Sequence, residues 1–409
     1  MDKHKITIAS IFGFVVLAVI FFYSGSDSDM SEEVVLDEQE EISAATIEEH
    51  VVANERALKS IGVSESYQDG VFRSERKLFL PENLEISVFA GGMNAPRSLD
   101  FSDPANVFVT DIGAGEVKLL RDNDGDGVAE EIVTVDRGLR RPHGIDLHQN
   151  DLYVGEENQV VVYRNLKNDG TFERKEIIIR SLPFGAGHST RTVKIGPDEK
   201  IYVSVGSSCN VCVEKDERRA AMLRYNLGGS FDRIIASGLR NTVGFTFRET
   251  ENGFEIWGVD NGRDRIGDNL PPEEINLIYV SGSTEAKNFG WPYCFGNGIN
   301  NPEFPNQKDF CQTQTEFPSV NMQAHSAPLG IEFFGSDMLV AFHGSWNRSE
   351  PTGYKIVKVR ADGQVEDYVS GWLESSGQAW GRPVDLKFDA EGNLFVTDDE
   401  AGVVYRIKK

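Results

Sequence analysis

From residue 95 to its end the chain repeats one pattern of polar and apolar positions: a polar or basic entry, a short strand run, a turn, then a second apolar run. The pattern occurs six times. It starts with Arg97-Ser98-Leu99-Asp100-Phe101 followed by Val107-Phe108-Val109, and with His143-Gly144-Ile145-Asp146-Leu147 followed by Leu152-Tyr153-Val154. The third copy runs from His188 through Val193 and Ile195, turns on Gly196-Pro197-Asp198, and returns as Ile201-Tyr202-Val203. Each residue of that turn has a mechanism: glycine and aspartate accept turn geometry, and proline presets its own φ. Copies four to six begin at Arg240-Asn241, Ala327-Pro328 and Gly381-Arg382. Most starts are about 45 to 55 residues apart, the period of a four-stranded blade, so the pattern predicts an all-β, six-bladed β-propeller. Residues 84–90 form one further strand pattern, expected to supply the outer edge of the last blade and close the ring. Residues 261–323 read as a loop-rich insertion, and residues 50–80 as a short helix and connector. On this reading the propeller spans residues 81–409, behind a stalk and connector at 25–80.

Ile6 to Tyr23 is an 18-residue, largely apolar run behind Lys3 and Lys5, within reach of a membrane span. With the basic flank on its N-terminal side, residues 1–24 read as an uncleaved transmembrane anchor, or alternatively a signal peptide. The propeller is then expected on the periplasmic or extracellular side. Between Asp27 and Glu49 lie ten acidic residues and no lysine or arginine, a composition that cannot bury a core. The formal charge of −24 leaves no basic stripe for nucleic acid. An even set of cysteines in an exported chain suggests bridges, here Cys209–Cys212 and Cys294–Cys311.

The inner strand of each propeller blade lines the channel, so the residues that enter those strands converge on one face. Here they are Arg97, Arg141, His143, His188, Arg191, Arg240, Asn241, His325 and Arg382. Cations gathered this way in an acidic protein repel one another unless an anion sits among them, which predicts an anion site. Elsewhere Asp122-Asn123-Asp124-Gly125-Asp126-Gly127, with Glu130 in ninth position, resembles a calcium loop but has Val133 where a twelfth-position glutamate belongs. Asp122, Asp124, Asp126 and Glu130 are candidate Ca2+ ligands. An ordinary Asp/Gly turn is the other reading.

Several motifs in order resemble the quinoprotein glucose/sorbosone dehydrogenase family, over about residues 80–409. They are His188 to Asp198, Gly238-Leu239-Arg240-Asn241 with Gly244, and Glu274 to Ile278 with Asn288 to Pro292. His343 to Arg348, Trp380 to Val384 and the Ser207 to Cys212 loop are similar to the L-sorbosone dehydrogenase-like branch. The resemblance implies pyrroloquinoline quinone (PQQ) and Ca2+ as cofactors, a sugar, sugar aldehyde or alcohol as substrate, and a further electron acceptor of unknown identity. It also implies His188 as general base with Arg240 beside it, and His143, Arg191, Arg240, Asn241, Arg348 and Arg382 as cofactor contacts. Ser207 stands where the glucose-oxidising relatives place an aspartate that orients the histidine. A non-catalytic extracellular binding propeller and a calcium-dependent propeller hydrolase or lactonase are the competing functions.

Overall fold

The computed structural model describes residues 55–409. The anchor or signal segment and the acidic stalk expected from the sequence lie outside the described residues. Among the described residues no helix is long and apolar enough to cross a membrane.

Six antiparallel sheets follow one another along the chain as blades. Blade 1 comprises Pro96–Asp103, Asn106–Asp111, Glu116–Arg121 and Glu131–Arg137. Blade 2 comprises Ile145–His148, Asp151–Glu156, Gln159–Leu166 and Phe172–Ile179. Blade 3 is Val193–Ile195, Lys200–Val205, Ala221–Asn226 and Phe231–Ser237. Blade 4 is Thr242–Thr250, Gly253–Asp260, Glu273–Val280 and Val320–Met322. Blade 5 starts with Pro328–Phe334, Asp337–Phe342, Lys355–Val359 and Val365–Ser370. Blade 6 uses Pro383–Phe388, Leu394–Asp398 and Val403–Lys408, and takes its fourth strand, Glu85–Ala90, from the other end of the chain. That strand pairs antiparallel with 403–408, placing Glu85 opposite Lys408, so the closing strand falls where the pattern predicted.

The first strands of the blades pack against one another around the axis. The glycine that recurs in the entries makes this approach possible. A Cβ on Gly244 would lie 2.0 Å from the Leu329 carbonyl oxygen, and one on Gly330 would lie 2.7 Å from that of Val384. Polar staples at one register tie the strands together. Asp100 accepts the N–H of Leu147 at 2.7 Å, Asp146 that of Ile195 at 3.0 Å, and Asp385 that of Leu99 at 3.2 Å. Lys387 pairs with Asp100 at 2.6 Å, and burial pushes the Asp146 carboxyl up to about 6. The apolar core lies between blades: Phe108 and Leu119 of blade 1 meet Val154 and Val161 of blade 2, for example.

Two stretches differ from the sequence reading. Residues 55–80 are not a helical connector. Arg56–Ser60 and Lys77–Pro81 add a hairpin to the outer edge of blade 5, joined by short 3₁₀ turns, so the folded body begins well before Pro81. The gain is apolar: Leu78 and Leu80 are fully buried against Trp372 and Tyr405. The loop-rich insertion in turn supplies half of blade 4. Its segment Lys287–Asn288 also pairs parallel with the outer strand of blade 3. One short helix, Lys308–Thr313, carries Cys311, which bridges to Cys294. The second expected bridge, Cys209–Cys212, is formed as well.

Candidate active site

Strand direction alternates through a blade, so the entries of the first strands share one face with the loops that join second to third strands. The geometry of those entries is set by an acid that ends the second strand of four blades. Asp111 accepts the N–H groups of Asn94 and Ala95 at 2.9 and 3.0 Å, and Glu156 accepts that of Arg140 at 2.6 Å. Asp260 accepts those of Arg240 and Asn241 at 2.9 and 2.8 Å, and Asp398 accepts that of Arg382 at 2.7 Å. Sequence reasoning missed this set. Its signal was the acid recurring at the end of four of the six second apolar runs, in Val109-Thr110-Asp111, Val154-Gly155-Glu156, Val259-Asp260 and Val396-Thr397-Asp398.

His188, Asn241 and Arg240 come together where blades 3 and 4 meet. A Cβ on Gly206 would lie 2.5 Å from Asn241 Oδ1 and 2.6 Å from His188 Cβ, so only glycine lets the two approach. His188 Nδ1 lies 3.1 Å from the Ser207 carbonyl oxygen and 3.0 Å from Ser207 Oγ. Desolvation, with Arg240 next in effect, pushes the imidazole down to about 3, so the ring is neutral. Arg240 is buried and forks onto four oxygens: Asn210 O and Oδ1 at 3.1 and 3.0 Å, Asn261 O at 3.0 Å and Gly262 O at 2.8 Å. Asp264 stands 3.6 Å from the same guanidinium.

A second group joins blades 1, 2, 5 and 6. Arg97 pairs with Asp399 at 2.5 Å, and the same carboxylate lies 2.8 Å from His343 Nε2. Asp399 therefore sits well below the usual carboxylate range, at about 2, through His343 and Arg97 acting against burial. His143 Nε2 lies 3.4 Å from Arg97 Nη2, and burial with Arg97 beyond it holds this imidazole well below its ordinary value. Arg382 donates to the carbonyls of His343 and Gly344 at 3.0 and 2.8 Å and lies over the Tyr354 ring.

The other predicted residues brace loops. Arg191, fully buried, donates to the carbonyls of His188 and Thr190 at 3.0 and 2.6 Å, and to that of Pro183. Arg141 reaches Ser189 Oγ at 2.8 Å. His325 and Arg348 pin the 261–272 loop through Gly267 O at 2.8 Å and Asp268 O at 2.7 Å. Asp122, Asp124, Asp126 and Glu130 do gather, with ligand oxygens within 4.8 Å of one another. They lie on the turn between the third and fourth strands of blade 1, hence on the opposite face from the entries.

Several buried acids next to the entries bind their protons more tightly than free carboxyls do. Burial raises Glu273 to about 8, and Glu274 and Asp398 to about 7. A raised folded-state pKa gives stability that is present below the unfolded value and lost as pH rises through the folded one. The imidazoles with depressed values act only below about pH 6.5. The unfolding free energy, read from denaturant midpoints, should therefore fall between pH 6.5 and 9, by up to about 4 kcal/mol before relaxation reduces it. A flat profile over that window would contradict the burial of these acids.

A protein-family model described as TrAA12-like matches residues 79–409. An uncharacterized protein of Borreliella burgdorferi is 33% identical over 360 residues, covering 81% of this chain and 90% of the relative. A pyrroloquinoline quinone-dependent pyranose dehydrogenase of Coprinopsis cinerea is 25% identical over 79% of this chain, which spans only 53% of that enzyme's length. Among solved structures, the holo form of the PQQ domain of the Coprinopsis cinerea pyranose dehydrogenase superposes with a TM-score of 0.70 at 23% identity, covering 81% of this chain and 97% of that domain. This last likeness is one of fold.

Proposed function

The chain belongs to the TrAA12-like family, and from that premise we propose that it is an oxidoreductase that oxidises a sugar or sugar aldehyde with PQQ. The observation that carries the reading is the neutral His188 beside Arg240 on a face crowded with cations. The residues fit a tricarboxylate quinone. Arg97 Nε and Arg191 Nε are buried without a hydrogen-bond partner, and Arg191 meets carbonyl oxygens rather than a carboxylate. Arg240, Asn241 and Arg382 would hold the group, with Arg191 and Arg348 supporting the surrounding backbone and His143 set beside Arg97; guanidinium contacts suit its carboxylates. When bound, the quinone supplies the two-electron acceptor. His188 takes the proton of the substrate hydroxyl, and its depressed basicity keeps it unprotonated across the neutral range. Arg240 places positive charge beside developing negative charge.

The Ser207 to Cys212 and Trp380 to Val384 motifs favour a sorbosone-type substrate within this class. Two formed disulfides fit an oxidising compartment, in keeping with a propeller held outside the cytosol by the segment at 1–24, with an electron acceptor still to be identified. The test is to add PQQ and Ca2+ to purified apoprotein and screen sugars and sugar aldehydes with an artificial acceptor. Dye reduction that needs the quinone is expected. Absence of both quinone binding and turnover would overturn the reading.

Calcium is assigned to the blade 1 turn. Asp122 already receives the N–H groups of Gly125 and Gly127 at 2.7 and 2.9 Å, which presets the loop. At a hundredfold excess over its dissociation constant the ion should add about 2.7 kcal/mol of stability. Asp122→Ala should abolish this gain, read as a calcium-independent unfolding midpoint.

A further inference from the structure

Residues 206–214, the first part of the loop that joins the second and third strands of blade 3, reach both His188 and Arg240. Ser207 Oγ donates its proton to the Cys209 carbonyl at 2.8 Å, so toward the imidazole it presents lone pairs. The Ser207 carbonyl is also an acceptor only. Two acceptors at 3.0 and 3.1 Å from Nδ1 fix the ring proton there and leave Nε2 as the basic nitrogen. The Ser207 N–H donates to Arg240 O at 2.8 Å, joining the two residues through the backbone.

Three residues further on, Asn210 completes the link. Its Oδ1 accepts from Arg240 Nη2 at 3.0 Å and from the Asp264 N–H at 2.9 Å, and its carbonyl accepts Arg240 Nε at 3.1 Å. The Cys209–Cys212 bridge closes the chain around this asparagine. Glu214 fastens the near side by accepting the Ser208 N–H at 2.5 Å and Oγ at 2.7 Å. The carbonyl that orients the Ser207 hydroxyl thus belongs to a bridged cysteine, and the residue that holds the guanidinium lies inside the bridged turn.

We propose that this disulfide-closed loop is the positioning element of the site: Ser207 sets the tautomer of His188, Asn210 sets the fork of Arg240, and neither carries charge. The proposal rests on the reading of His188 and Arg240 as the reacting face. Its physical consequence is distinctive. A carboxylate beside Nδ1 would favour the imidazolium and draw protonation toward neutral pH, whereas a hydroxyl and a carbonyl orient the ring without doing so. The charged groups that face the ring are Arg240, Arg191 and Arg219, all of which also disfavour the imidazolium.

The test uses the full chain labelled with ¹⁵N-histidine, first without quinone, assigning His188 by its loss in His188→Gln. The parent should show the Nδ1–H tautomer with no titration between pH 5 and 8. Ser207→Ala keeps the carbonyl acceptor but loses the hydroxyl, so it should weaken the preference and let a fraction of the Nε2–H tautomer appear, and Ser207→Thr should restore the parent signal. In the quinone-loaded protein Ser207→Ala, and the double variant Cys209→Ser with Cys212→Ser, should lower kcat by up to about 10²-fold with little change in KM. A parent His188 that titrates near 6.5 or carries its proton on Nε2 overturns the proposal. So does a Ser207→Ala variant with the parent's tautomer and kcat. If the parent binds no quinone and oxidises nothing, the functional reading fails on its own, while the tautomer measurement still decides the role of the loop.

Discussion

Replacing His188 by glutamine should leave quinone affinity intact and reduce turnover at saturation by roughly 10²–10⁴-fold, the usual worth of a general base. Glutamine keeps the size and a hydrogen-bonding group but has no basic nitrogen. It can still donate to the Ser207 carbonyl, so the loop has no reason to collapse. The structure also changes what pH should do. The sequence alone suggests a rate limb near an ordinary histidine pKa, but burial and Arg240 push this imidazole down to about 3. The parent should show no such limb between pH 5 and 8, and any limb there belongs to another group. A His188→Gln enzyme that oxidises substrate at the parental rate would move the base elsewhere, with His143 the next residue to test.

Arg240→Ala should both weaken quinone binding and destabilise the protein. From sequence this arginine reads as a channel-facing clamp that can be removed at no cost to the fold. Instead it is only 5% exposed and its four hydrogen bonds hold two separate stretches, Asn210 and Asn261-Gly262. Truncation leaves those oxygens without donors and removes the opposite charge near Asp264. The loss should be on the order of 3 kcal/mol, since hydrogen bonds to charged groups are worth about 1.5–3 kcal/mol and unpaired buried acceptors add to the cost. Arg240→Lys should recover part of the stability, because one ammonium cannot serve a fork of four acceptors. Unchanged denaturant midpoint and unchanged quinone affinity in the alanine variant would remove Arg240 from both roles.

The blades were legible in the sequence because each buries one face of its strands, and burial on one face enforces alternation. The entry glycines and the Gly-Pro-Asp turn mark fixed backbone needs, so they too could be read directly. The hairpin at 55–81 escaped notice because Phe79 is exposed between buried Leu78 and Leu80, which turns an alternating strand into an unbroken apolar run. At the site, residue types were legible but their partners were not. Nothing in the order of residues says that Asp399 would meet His343 and Arg97, since that contact crosses three blades. Nor does it say that Arg191 would turn inward to backbone carbonyls, a choice made by the path of residues 183–190.

The pairing of residues 85–90 with 403–408 also fixes a sequence of events during synthesis. The strands of five blades are all translated before the sixth, yet residues 85–90, made ahead of those five, find their partner only in that sixth blade. Until then the nascent chain carries an unpaired edge at each end of an open arc, and joining them demands the largest loop closure in the fold. Arg97, whose carbonyl accepts the Thr397 hydroxyl at 2.5 Å and whose guanidinium meets Asp399, waits on the same residues. The Arg97–Asp399 side of the entry face is thus assembled at the moment the ring shuts. Ribosome-stalled chains ending before residue 394 should therefore fail to bind quinone, however well their earlier blades have formed.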